Sequence, residues 1–113
     1  MDVFFESNRL AKLLQSQKAL TKKFGAENAK LIKRRLDNLH IASNLEQFST
    51  IAPTPRLHEL KGDRAGTLSI YLKDGYRLII VPADEPMLYK PDGGLDWRAI
   101  VAVVVIAVED YHD

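Results

Sequence analysis

Residues 67–81 read TLSIYLKDGYRLIIV, and this stretch decides the fold class. Leu68, Ile70 and Leu72 alternate with other residues, so one face of the segment is apolar, as in a half-buried strand. Asp74-Gly75 follows. Both central positions of a type I′ turn need positive φ, which Gly adopts freely and Asp tolerates, so the pair predicts a hairpin. Tyr76 to Val81 is then the returning strand.

Toward the C-terminus, Pro82 to Trp97 contains three prolines and the Gly93-Gly94 pair and reads as a loop. Ile100 to Val108 is apolar at nearly every position, which predicts a strand buried on both faces and central in the sheet. Toward the N-terminus, Gly62 and Gly66 bracket a turn over Lys61 to Ala65, and Arg56 to Leu60 is short and extended. Pro53 and Pro55 break any regular element, and Leu45 to Ile51 holds one loose helical turn. Ala29, Ile32, Leu36 and Leu39 step by three and four and make an apolar helical stripe from about Ala26, with Lys30, Lys33, Arg34 and Arg35 off it. Leu10, Leu13, Leu14 and Leu20 predict an earlier helix, capped by Ser7 or Asn8, that runs to about Lys23 and stops at Gly25. Asp2 to Phe5 begins the chain as a short strand. The expectation is one α+β domain over residues 1–113, with an N-terminal helical hairpin packed on a small antiparallel sheet.

Bulk properties set the outer bounds. The 113 residues suit one core, and 46% hydrophobic with 27% charged content is ordinary for a globular domain. There is no cysteine, so disulfides and zinc–thiolate sites are excluded. The first residues lack the pattern of a signal peptide, and the longest apolar run is about half the roughly 20 residues a membrane span needs, so a cytoplasmic protein is expected. Net charge is only +1, but the charges are segregated: eight basic residues and one acid lie between Lys12 and Arg35, while acids gather toward the C-terminus. The basic stretch, with Lys22, Lys23, Lys30, Lys33 and Arg34, is either a solvated helix face or a phosphate-binding surface, to which Arg56 would add.

No phosphate-cradling Gly loop, HExxH, GxSxG or CxxC is present, and no spacing gathers metal ligands, so neither metal nor cofactor is expected. His40 follows the helical stripe and reads as a solvated or capping histidine. His58 and Lys61, three apart beside a turn, are either two exposed polar residues or members of a site. Arg77 lies inside an apolar strand and must reach water, an acid or a ligand, because burying its charge unpaired is costly. Tyr111 and His112 follow directly on the last strand, which can position them. As a set, His58, Lys61, Arg77, Tyr111 and His112 supply proton carriers, fixed cations and a stacking ring. Those are the parts of metal-independent RNA cleavage, in which a base activates the ribose 2′-OH and an acid protonates the leaving 5′-oxygen.

The segment Arg56-Leu57-His58-Glu59-Leu60-Lys61-Gly62-Asp63, the strand Tyr76-Arg77-Leu78 and the terminal Asp110-Tyr111-His112 resemble, in order and spacing, the HigB-like branch of the RelE/ParE toxins, the "killer" proteins of plasmid-maintenance loci. The resemblance covers nearly the whole chain. It implies a type II toxin that cleaves messenger RNA on the ribosome. Carried over by motif position, His58 and His112 serve as base and acid, Lys61 and Arg77 hold the phosphate, and Tyr111 stacks on a base. It also implies a helix–turn–helix, HigA-like antitoxin as partner. Two features depart from the pattern, the near-neutral charge and the long 82–97 loop. The alternatives within the same fold are a ParE-like gyrase inhibitor and an inactive module that binds an antitoxin; a metal hydrolase is a third, weaker reading.

Overall fold

The computed structural model describes residues 1–51, 56–84 and 88–111. The chain forms β1 (Asp2–Phe5), α1 (Asn8–Leu14), α2 (Gln17–Phe24), α3 (Ala26–Ile41) and α4 (Leu45–Thr50), then β2 (His58–Glu59), β3 (Leu68–Tyr71), β4 (Tyr76–Pro82) and β5 (Ala102–Asp110). A short 3-10 turn, Gly62–Arg64, joins β2 to β3. The architecture is α+β: the described residues form four helices and a five-stranded sheet in the order β1-β5-β4-β3-β2.

The hairpin forms where residues 67–81 place it. Asp74 and Gly75 have φ of 55° and 80°, and the Tyr76 N–H donates to the Lys73 carbonyl at 3.1 Å. The sheet is not wholly antiparallel, because β1 pairs in parallel with β5. A parallel neighbour far apart in sequence leaves no local signal, so alternation alone could not reveal it. β5 is an interior strand, as expected, but β4 is the middle one. Nor is β5 buried on both faces: Val103 and Val105 are buried, while Val101 is exposed and Val104 half-buried.

The first helix is broken in two. Gln15 and Ser16 separate α1 from α2, and Ser16 is an N-cap whose hydroxyl accepts from the Ala19 N–H at 3.1 Å. Gly25, at φ 90°, ends α2 and begins α3. α4 is a capped helix rather than a loose turn, with Asn44 Oδ1 accepting from the Gln47 N–H at 2.8 Å. Pro53 and Pro55 lie outside the described residues.

The helices cover one face of the sheet. Leu20, Ile32, Leu39, Leu45 and Phe48 meet Leu68, Ile70, Leu78, Ile80, Val103 and Val105 in one core. The described part of the 82–97 segment belongs to this side as well. Leu95 is fully buried in the core, its N–H donating to Glu59 at 3.0 Å, and Arg98 is paired with Glu46 at 2.6 Å. This part of the loop is therefore docked on β2 and α4.

The buried face of α3 is wider than the apolar stripe. It includes Arg35, placed by the stripe on the basic outer surface but only 6% exposed. Its Nε and Nη1 have no hydrogen-bond partner. Burial holds this guanidinium below its ordinary range, with repulsion from Arg34 adding to the effect. Replacing Arg35 with Met keeps the apolar stem and removes the unsatisfied donors. Urea unfolding is expected to show Arg35→Met more stable by about 1–2 kcal/mol; a loss of stability would mean that the guanidinium is fully satisfied.

Candidate active site

The face of the sheet away from the helices carries the polar chemistry. Directly opposed residues on paired strands point to the same side. His58 opposes Ser69, Ser69 opposes Ile79, Tyr71 opposes Arg77, and Arg77 opposes Glu109. One row across β3, β4 and β5 is thus Tyr71–Arg77–Glu109, with Tyr111 two residues beyond Glu109; His58 lies in the neighbouring row, with Ser69, Ile79 and Ala107.

A bulge makes this row possible. Ile80 pairs with Val105 but Ile79 pairs with Ala107, so Ile106 is an extra residue in β5. Before it, Val103 and Val105 point into the core. After it, Val108 takes the core side, and Ala107, Glu109 and Tyr111 share the open side. Strict alternation would have sent Glu109 and Tyr111 with Val105 into the helical layer. Re-aiming of this kind is what a single-residue bulge does to a strand.

The row is held by aromatic–cation contacts. The Arg77 guanidinium carbon lies 3.8 Å from the centre of the Tyr71 ring and 5.4 Å from that of Tyr111. The Arg56 guanidinium is 5.2 Å from the Tyr71 ring, and His58 leans on the same ring at 5.5 Å and 46°. Arg77 Nη1 donates to the Tyr76 carbonyl at 3.1 Å, and no carboxylate among the described residues comes within ion-pair distance of Arg77 or Arg56. Two cations and an imidazole around one ring, with no paired acid among the described residues, form a surface that a phosphate would complement.

Beside it, Arg64 reaches over the sheet from the β2–β3 connection. Its Nη1 and Nη2 donate to the two Glu109 carboxylate oxygens at 2.8 and 2.7 Å, and Nη1 also donates to the Tyr111 hydroxyl at 3.0 Å.

The structure divides the residues singled out from sequence. His58, Arg77, Tyr111 and Arg56 come together on the open face. Lys61 is exposed and precedes the 3-10 turn; it lines a shallow depression with Glu59, Tyr89 and Gly94, and no contact joins it to His58 or Arg77. His112 lies outside the described residues. Lys22, Lys23, Lys30, Lys33 and Arg34 belong to the helical layer, on the other side of the sheet. There Lys33 is paired with Asp37 at 3.1 Å, and Lys23 sits 5.6 Å from the Phe24 ring. Lys30 and Arg34 flank Leu31 and Lys73 in a shallow hollow. Among the described residues no cluster of His, Asp and Glu could hold a metal ion, and no helix is long and apolar enough to cross a membrane.

Sequence reasoning missed Tyr71, Arg64 and Glu109. Tyr71 was legible only as a residue of an alternating strand, and the Arg64–Glu109 contact joins segments 45 residues apart. A comparison of the chain with protein-family models finds no match, and a comparison with curated proteins finds no relative.

The Glu109 carboxyl is held below the usual carboxylate range, first by its hydrogen bonds from Arg64 and further by the Arg64 charge and the Tyr111 hydroxyl, against partial desolvation. A depressed carboxylate stabilises the fold above its unfolded value near 4.5, and that contribution disappears as the pH falls through the lower folded value. Carbon-detected NMR titration is expected to give Glu109 a midpoint below 4.5 in the wild type and an ordinary one in Arg64→Ala. Equal midpoints would show that the fork is not formed in solution.

Proposed function

We propose that this chain is a HigB-like toxin of the RelE/ParE group, a metal-independent endoribonuclease that cuts messenger RNA on the ribosome. The observation that carries the reading is the sharing of one open sheet face by His58, Arg77 and Tyr111, three of the residues on which the resemblance rests, around the Tyr71 ring.

In this reading the backbone of an unstacked messenger strand lies across β3–β5. Arg77 and Arg56 take the scissile phosphate through their N–H forks. The Tyr111 ring stacks on a neighbouring base and keeps the strand in line for attack. His58 or His112 accepts the proton of the ribose 2′-OH. The 2′-oxygen forms a bond to phosphorus, the bond from phosphorus to the 5′-oxygen breaks, and the second imidazolium gives its proton to the departing oxygen. The products are a 2′,3′-cyclic phosphate and a 5′-hydroxyl. Lys61 contributes charge from the rim if its long side chain swings toward the phosphate. The helical cations Lys22, Lys23, Lys30, Lys33 and Arg34 face away from this site and suit a second task, contact with ribosomal RNA, where phosphate neutralisation drives affinity. A helix–turn–helix, HigA-like antitoxin is the proposed protein partner, and the cytoplasm the proposed location.

Induced expression in a bacterial host, followed by mapping of transcript ends, tests this. Wild type is expected to arrest growth and to leave new 5′-hydroxyl ends in translated messages. Arg77→Ala and His58→Ala are expected to lower cleavage by about 10²-fold or more, the usual scale for a lost phosphate clamp or proton carrier. Growth arrest with intact transcripts and damaged DNA would replace this reading with gyrase poisoning. A harmless wild type that still binds its antitoxin would leave only an inactive binding module.

A further inference from the structure

We propose that Arg64 is a positioning residue for Tyr111: forked on Glu109, it fixes the Tyr111 ring in the plane in which the ring meets the messenger strand. The functional half of this proposal rests on the nuclease reading; the positional half does not.

Three observations carry it. First, the donors of Arg64 are already committed. Nη1 serves both a Glu109 oxygen, at 2.8 Å, and the Tyr111 hydroxyl, at 3.0 Å, while Nη2 serves the second Glu109 oxygen at 2.7 Å. A guanidinium has five N–H donors, and three are used within the protein. Its charge is matched by Glu109, whereas Arg77 and Arg56 make no ion pair among the described residues. Arg64 is therefore a poor phosphate anchor and a good brace.

Second, the brace is rigid at both ends. The loop that carries Arg64 is closed by bonds from Leu60 N–H to the Thr67 carbonyl (2.8 Å) and from Thr67 N–H to the Arg64 carbonyl (3.1 Å). Tyr111 is tied through its own N–H to the Gly75 carbonyl at 2.9 Å. Backbone, hydroxyl and ring are thus each held, by the hairpin turn, by Arg64 and by Arg77 respectively.

Third, Arg64 spans two strands to reach Glu109. Ser69 and Ile79 are only 3% and 0% exposed although they sit on the face the helices leave uncovered. They lie on β3 and β4, the two strands between the β2–β3 connection and Glu109. A simple surface ion pair would need neither this crossing nor the bond to Tyr111.

The test uses Arg64→Ala, Arg64→Lys, Tyr111→Phe and the double variant Arg64→Ala/Tyr111→Phe, each checked by thermal melting. On programmed ribosomes, Arg64→Ala is expected to lower the single-turnover cleavage rate about tenfold with the half-saturating ribosome concentration unchanged. Arg64→Lys keeps the ion pair but cannot span Glu109 and the hydroxyl as a fork. It is expected to restore thermal stability and not the rate, a split that a purely structural role would not produce. The double variant is expected to be no slower than the slower single one, since both remove the same contact. Additive losses, or full rescue of the rate by Lys, would overturn the functional half. Ring-labelled tyrosine NMR reads the positional half without any cleavage assay. The Tyr111 ring signals, assigned through Tyr111→Phe, are expected to move toward random-coil values in Arg64→Ala while those of Tyr71 stay in place. Unchanged Tyr111 signals would overturn the proposal. A wild type that cuts nothing removes the nuclease reading and the functional half with it, and leaves the ring signals to decide the rest.

Discussion

The single extra residue in β5 governs the open face. Side chains alternate along a strand with a period of two, so one inserted residue exchanges the two faces for everything that follows. Ile106 is that insertion. It lets Val103 and Val105 fill the core before it and sends Glu109 and Tyr111 to the opposite side after it. The Asp74-Gly75 turn sets the partner register on β4, aligning Arg77 with Tyr71 on one side and Glu109 on the other. Turn and bulge together build a row that neither would produce alone.

The row is a mixture of charge and aromatic surface rather than a cluster of charges. Cation–π contacts near a surface contribute roughly 0.5–1 kcal/mol each, so the Tyr71 ring orients Arg77 and Arg56 more than it stabilises the fold. What it supplies is order: guanidinium groups held against a ring lose less freedom when an anion arrives. The acid that could neutralise the row, Glu109, is occupied by Arg64 through both of its oxygens. Among the described residues no other acid pairs with the cations beside Tyr71. On the far side of the sheet, two of the cations are partly answered by Asp37 and Glu27, which pair with Lys33 and Lys73.

Much of the scaffold was legible in the sequence because it rests on local rules. Alternation in residues 67–72, the Asp-Gly turn and the stripe of α3 each report their own neighbourhood. The break between α1 and α2 had a local sign as well, since Ser16 stands where the apolar spacing of the leucines lapses between Leu14 and Ala19. The misreadings have one cause, long-range packing. The pairing of β1 with β5 joins the two ends of the chain. The buried Arg35 sits where only the tertiary fold decides what covers it. The apolar residues of β5 suggested burial on both faces because Val104 and Ala107 lie on the open one. The site was legible as a list and not as a place: His58, Arg77 and Tyr111 could be named from residue type and motif, but their convergence depends on a bulge within an unbroken apolar run.

The central claim is that the open face, and not the helical layer, receives the messenger strand. The most direct measurement is NMR shift mapping of the labelled protein with a short single-stranded RNA whose 2′-hydroxyls are methylated, so that it binds without being cut. The account predicts saturable shifts at Tyr71, Arg77, Glu109 and Tyr111, weakened by salt, with the signals of α2 and α3 little changed. Shifts confined to Lys22, Lys23, Lys30 and Arg34, or no saturable shift at millimolar RNA, would contradict it.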